Sequence, residues 1–393
     1  MTTETQKKAL SGLRVIDFSW VLAGPMTTKM LAGMGAEVIK IESSTRREHT
    51  QRQPWWAVVN AGKKSCTINL SRPQGPELIR RLIAQSDMVV ENFSNGVLAK
   101  FGLDYTALAA IRPDLIFVSA SGTGREGPQR DALAYGSLLQ AYSGRASVVG
   151  TPNERVEAMG ILPAWTDPIT ALWECCAVLA AIRHRRVTGE GAFIDLSMLE
   201  STVALLPELL FREALGTDTP AASGAREWSA APSGCFRCAG DDAWLAVSVC
   251  DDAQWRALCD AMRKPELASD ARFADARGRA AHRSAADDLL ATWLADQPPA
   301  QALDALQSRG VPAARSRHIG AVMEDPYFAN GGLFPELADG SLSIALPWQD
   351  SDGFRGDFTP PPRLGEHNDY VFRELLGLDA GEVETLTEAG VLR

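Results

Sequence analysis

The sequence predicts an α/β protein: an open parallel sheet in a large first domain, then a smaller α+β domain. Three observations carry that prediction. Continuous apolar runs, the mark of strands buried on both faces, alternate with helical segments through the first half of the chain. At 393 residues the chain exceeds one usual domain. A small, polar, Pro/Gly-rich stretch from Gly216 to Gly234 then breaks the pattern ahead of a mixed module.

The first apolar run, Leu13 to Phe18, reads as a strand. A loop over Ser19 to Pro25, a helix over Met26 to Met34 and a strand over Ala36 to Ile41 complete a βαβ unit. The alternation continues with strands Ser65–Leu70, Met88–Phe93 and Leu115–Ser121, and helices Gly75–Gln85 and Tyr105–Ile111. In such a sheet ligands sit beyond the carboxyl ends of the strands. Ala132 to Ser143 reads as helix, the segment around Gly150 to Asn153 as loop, and Leu199 to about Leu215 as an apolar helix. After the linker come strands Cys235–Cys238, Ala243–Val249 and Val311–Ala314, with helices Ala253–Met262, Ala285–Ala295 and Ala300–Ser308. The tail from Gly331 is too small for a core of its own and should dock on the first domain. The domains are therefore expected at 1–215 with 331–393 returning to it, a linker at 216–234 and a small domain at 235–330.

Charge and composition exclude some functions. A formal net charge of −10 argues against a nucleic-acid binder, which needs a basic surface to neutralise phosphates. The clusters Arg46-Arg47 and Lys63-Lys64 are the size to hold a few phosphates of a small ligand. No apolar run approaches the roughly 20 residues of a membrane span, and Met1 to Ala9 lacks the apolar core of a signal peptide. Seven cysteines, an odd number, suit reduced thiols in the cytoplasm. Cys235 and Cys238 form a CxxC without a second pair or nearby histidines, so no metal site is predicted. Cys175 and Cys176 read as helix packing.

The stretch from Gly160 to Ser201 carries the chemistry. Asp167 stands where a helix should begin, with Pro168 at the first helical position, where its missing N–H costs nothing. An apolar run, Ala171 to Ile182, takes the helix inward, and Arg183, Arg185 and Arg186 close it against the negative end of its dipole. Gly189 to Gly191 turns the chain into a strand over Phe193 to Met198. A carboxylate at a helix start either caps the helix or, if that end opens into a cleft, is a placed nucleophile; local sequence leaves both open. Gly122 to Gly127 spells GxGxxG after a strand, yet Pro128 and residues 129–131 prolong the loop where the dinucleotide fingerprint needs a helix. A dinucleotide site is therefore not expected, and no Walker motif supports nucleotide hydrolysis.

Several of these stretches together resemble the class III coenzyme A transferases, which include formyl-CoA, carnitine and benzylsuccinate CoA-transferases. They are Leu10–Phe18 with Ala23–Pro25 and Gly35–Glu42; Glu91–Phe93 with Gly96 and Gly102-Leu103; and Ser121–Gly124 with Gly127-Pro128. Asp167, Thr188–Gly191, Asp195–Met198, Gly310–Pro312 and Pro362–Glu366 complete the likeness over nearly the whole chain. The resemblance implies a Rossmann-like large domain built from both chain ends, and an interlinked homodimer with the active site at a domain and subunit boundary. It implies no permanently bound cofactor. Coenzyme A arrives on an acyl-CoA donor and leaves on a carboxylic-acid acceptor, with Asp167 as nucleophile through acyl anhydride and aspartyl-CoA thioester intermediates.

By the same resemblance Val21, Leu22 and Ala23 line the thioester. Ile68, Asn92, Phe93, Lys100, Tyr135 and Met198 surround the nucleotide and pantetheine, with Lys100 at phosphate. Ser43 and Ser71 stand where basic contacts occur in relatives, so Arg46, Arg47 and Arg72 are expected to substitute. Leu22 replaces a glutamine of the formyl-CoA type, which disfavours formyl or oxalyl transfer. The phrase from Asp17 to Val21 resembles members that take succinyl-CoA as donor and bulky or dicarboxylic acids as acceptors. Leu22, Trp20 and the Trp55-Trp56 pair are candidates to line an apolar acceptor pocket for an aromatic or branched acid, with plain packing or exposure of the tryptophans the equal alternative. Two other readings compete: an α-methylacyl-CoA racemase, which needs a histidine base before the aspartate where this chain has none between His49 and His184, and a non-catalytic CoA-binding protein.

Overall fold

Six short parallel strands form the central sheet of the computed structural model, which describes residues 8–45, 54–149, 165–216 and 229–393. They are β1 (Arg14–Asp17), β2 (Glu37–Glu42), β3 (Lys64–Thr67), β4 (Met88–Glu91), β5 (Ile116–Ser121) and β6 (Ala192–Ser197). Their order, β3-β2-β1-β4-β5-β6, is that of the doubly wound Rossmann sheet, with the direction of winding reversing between β1 and β4. Side chains alternate between two cores, as a pleated strand requires. Ile16, Ile39, Val89 and Phe117 pack with Leu78, Ile79 and Leu82 of helix α3 (Gln74–Ile83) on one face. Val15, Val38, Val90 and Val118 pack with Leu31 of α1 (Ala23–Gly33) and with Val178 and Ile182 of α6 (Thr166–Thr188) on the other.

The alternation read from the sequence is present, with local differences. Helix α1 begins at Ala23, taking Gly24 and Pro25 into its first turn. Helix α2 (Pro54–Asn60) has no counterpart in the prediction, and α5 covers only Gly136–Tyr142, leaving 132–135 outside it. The apolar helix expected over Leu199–Leu215 is two helices, α7 (Met198–Val203) and α8 (Pro207–Ala214), because Pro207 cannot continue the ladder. Helix α6 starts one residue before Asp167, with Trp165 at its cap. Asp167 is thus the second helical residue and not the cap. The run from Ala171 to Ile182 also hides a carboxyl group. Glu174 is fully buried, takes a hydrogen bond from Thr27, and burial pushes its carboxyl up to about 8.

The chain forms two compact units, whose described residues fall within Met1–Gly144, Ile161–Pro207 and Pro326–Arg393, and within Arg145–Gly160 and Glu208–Asp325. In the first, the C-terminal segment lies along the free edge of β3. Asn69 N–H donates to Val391 O (2.7 Å), Thr67 N–H to Asn368 Oδ1 (2.9 Å) and Gly365 N–H to Ser65 Oγ (2.8 Å). An edge that would otherwise offer unpaired backbone groups is covered. The second unit carries an antiparallel sheet, β7 (Ser233–Arg237), β8 (Trp244–Ser248) and β9 (Ala313–Arg315), around Leu245, Val247, Trp255, Leu258 and Leu290. In the CxxC, Cys235 is exposed and Cys238 is packed in this core; both are free thiols.

Candidate active site

A cavity of about 320 Å³ opens beyond the carboxyl ends of β1, β4 and β5, at the point where the winding of the sheet reverses. Val21 from the β1–α1 loop, Asn92 to Asn95 after β4 and Ala120 to Gly122 after β5 form one side. Arg130 to Gly136, Asp167 and Met198 form the rest.

Asp167 enters the cavity from the first turn of α6, where the helix dipole favours a negative charge. Burial outweighs that influence and the hydrogen bonds from its own and Ala23's backbone N–H, so the carboxyl is pushed up to about 6. At neutral pH it is still roughly nine-tenths ionised, and more basic than a free aspartate. This is the balance a carboxylate nucleophile needs.

The loop facing Asp167 is fixed from below by buried charge. Asp17, at the end of β1, accepts from Ser19 N–H (2.8 Å), Thr28 Oγ1 (2.7 Å) and Lys63 Nζ (3.0 Å), all fully buried. Burial alone would raise the Asp17 carboxyl, but Lys63 and Lys40 hold it below the usual range. Lys40 Nζ also donates to Ser19 O (2.6 Å). Gly24 has to be glycine here: a Cβ would sit 2.3 Å from Ser19 Cβ. Above this base, Asn92 clasps the loop reciprocally, accepting from Trp20 N–H and donating to Trp20 O, both at 2.8 Å. Trp20 also stands edge-on to Phe93, ring centroids 5.7 Å apart. Between these anchors Val21 has φ +66°, a left-handed backbone that a β-branched residue adopts only under constraint.

The GxGxxG loop is a brace. Asp195 accepts the Arg125 N–H, and the Arg125 guanidinium donates to Ser119 Oγ (2.6 Å), Glu91 Oε1 (2.6 Å) and Phe93 O (2.9 Å). The loop is thereby tied to the ends of β4 and β5 and passes so close to Ala134 that a Cβ on Gly122 would lie 2.7 Å from it.

Of the residues singled out in the sequence, Val21, Asn92, Phe93, Tyr135, Met198 and Asp167 line one cavity, and Ala23 reaches it through its N–H. Leu22, expected at the thioester, stands at the cap of α1 and does not line the cavity. Ile68 lies in the hydrophobic core, Lys100 is exposed on a 3₁₀ turn (Ala99–Phe101), and the exposed Arg72 packs its guanidinium against Gly390. None of these three lines the cavity. Arg46 and Arg47 lie outside the described residues. The tryptophans expected at an acceptor pocket do not line it: Trp20 packs on Phe93, and Trp55 and Trp56 belong to α2. Sequence reasoning missed Asn95, Arg130 and Ser121; the Ser121 Oγ is buried with no hydrogen-bond partner among the described residues. Among the described residues no cluster of His, Cys, Asp or Glu could hold a metal ion, and no helix is long and apolar enough to cross a membrane.

Comparison with known proteins bears on this geometry. A family profile described as CoA-transferase family III matches residues 10–368. The succinyl-CoA–D-citramalate CoA-transferase of Chloroflexus aurantiacus is 32% identical over the whole of both chains. The succinate–glutarate CoA-transferase of Agrobacterium fabrum is 32% identical over 94% of this chain and 96% of its own. Among solved structures, a CAIB/BAIF family protein from Brucella suis superposes with a TM-score of 0.85 at 30% identity, over 94% of this chain and all of that one.

Proposed function

The chain belongs to CoA-transferase family III and is a CoA-transferase, and from that premise we propose that it moves CoA from succinyl-CoA to a dicarboxylic acid through covalent bonds to Asp167. The single observation that carries the mechanism is the Asp167 carboxylate, ionised, more basic than usual and lining a cavity at the sheet's switch point. The substrate class is supported by relatives named for citramalate and glutarate, both dicarboxylic acids.

A carboxylate oxygen of Asp167 attacks the thioester carbonyl carbon, the C–S bond breaks, and CoA leaves as thiolate from a mixed anhydride. The thiolate attacks the aspartyl carbonyl and expels the donor acid, giving an aspartyl-CoA thioester. The acceptor carboxylate attacks that carbonyl, re-forming an anhydride and freeing the thiolate. Attack of the thiolate on the acceptor carbonyl then yields the new acyl-CoA and the free aspartate. No net proton is taken up or lost, so no general base is required. The Ala23 N–H beside the carboxylate and the unpartnered Ser121 hydroxyl are the donors available to oxygens that gain charge on the way. In this reading Leu22 and the absent histidine count against formyl transfer and racemisation.

The enzyme in this reading is a cytoplasmic, interlinked homodimer. Leu172, Trp173, Leu179 and Val187 form an exposed apolar row along the helix that carries Asp167, more than a solitary subunit needs to leave open. Incubation with succinyl-CoA followed by hydroxylamine tests the chemistry. Peptide mass spectrometry should find Asp167 modified and activity lost; full turnover by Asp167→Ala would refute it.

A further inference from the structure

We infer that Arg130 reads the second, unreacting carboxylate of the dicarboxylic donor and acceptor, an assignment that rests on the transferase reading above. The charged side chains in the cavity wall, among the described residues, are Asp167, Arg130 and Asp131, so Arg130 is its one cation there. Its backbone is held. Arg125 braces the loop at its base, Thr123 Oγ1 donates to Gln129 O (2.7 Å), and Ala132 N–H donates to Gln129 O (2.8 Å). The side chain is comparatively uncommitted: among the described residues Arg130 Nε meets only Asp131 Oδ2, at 3.4 Å, with both groups more than half exposed. A neighbouring-residue pair this long and this wet is weak. Asp131 is shared, since Asn95 Nδ2 also donates to it (3.3 Å). The rest of the Arg130 fork is available for bidentate recognition of another carboxylate.

The substrate supplies that carboxylate. In each half-reaction one end of the acid becomes bonded to CoA or to Asp167, while the other end of a succinyl or glutaryl group stays ionised. It enters a cavity that already holds Asp167 and Asp131, where an unmatched third anion would be repelled and desolvated at a cost. A monocarboxylic acid presents a methyl group instead and gains nothing from a guanidinium. Donor and acceptor take turns in the same cavity, so one arginine serves both.

The test compares Arg130→Gln, Arg130→Lys and Asp131→Asn with wild type, using glutarate and butyrate as acceptors and succinyl-CoA as donor. The ratio of kcat/KM for glutarate to that for butyrate should fall roughly 10- to 100-fold in Arg130→Gln, the worth of a charge-assisted hydrogen bond. Arg130→Lys should restore part of it, and Asp131→Asn should raise it by freeing the fork. An unchanged ratio, or an equal fall for both acids, overturns the assignment. Calorimetric titration of the free proteins with succinate reads the same contact without turnover: binding weakened in Arg130→Gln supports it and equal binding overturns it. A wild type that bound succinate but transferred CoA to no acid would sink the transferase reading while leaving this contact standing.

Discussion

Replacing Asp167 with asparagine should destroy the enzyme and make it more stable. The carboxyl rises from 3.8 to about 6 on folding because the cavity wall strips it of water. The unfolded chain therefore gives up this proton at lower pH than the folded one. The group's contribution is fully present below pH 3.8 and is lost as pH climbs through about 6. With about 1.4 kcal/mol per unit, the shift amounts to about 3 kcal/mol of destabilisation at neutral pH and about 0.5 kcal/mol near pH 4. Asparagine keeps an oxygen to accept the Ala23 N–H and carries no charge to desolvate, so most of that difference should be recovered. Denaturant unfolding of both proteins near pH 7 and pH 4 measures it, followed through the first unit. The variant should lead clearly at neutral pH and by little in acid. An Asp167→Asn protein no more stable than wild type at neutral pH, or ahead by the same margin at both, would refute the desolvation argument.

Two further outcomes follow from the same geometry. Attack on the donor needs the ionised carboxylate, so the rate of enzyme acylation by succinyl-CoA should rise with pH along a single-proton limb centred near 6; a rate flat across that range would mean another group limits it. Lys63→Met leaves Asp17 buried without its ion pair and should cost about 3–5 kcal/mol in denaturant unfolding, while adding Asp17→Asn should recover much of the loss; an additive double variant would deny the pairing.

The strand-helix alternation was legible because the central strands β1, β2, β4 and β5 are buried on both faces and so read as largely apolar runs without help from distant residues. Asp167 was legible from its helix start and from the resemblance together. What stayed hidden depends on partners far apart in the chain. Lys63 reads as part of a basic surface pair, and only the fold brings its Nζ under Asp17. Ile68 matches a binding position in sequence, yet the returning C-terminal segment closes over it with Val371, Phe372 and Val391. Arg130 was passed over as a loop extension, because a turn residue gains meaning only when the cavity it faces is known. Glu174 went unnoticed within an apolar run, since its hydrogen-bond partner, Thr27, comes from another helix. The break at Pro207 was the exception: the proline was in plain view, and helical periodicity was given more weight than it deserved.

The segment along β3 ties completion of the first unit to the order of synthesis. The ribosome releases all six strands of the large sheet before Glu208–Asp325 of the second unit, and the stretch that covers the β3 edge only after both. Until His367 and Asn368 emerge, β3 presents bare backbone to any passing strand. A nascent chain of this protein must therefore hold its sheet unfinished while the second unit is still being made, and a ribosome stalled between the two exposes a nearly complete sheet with one open seam.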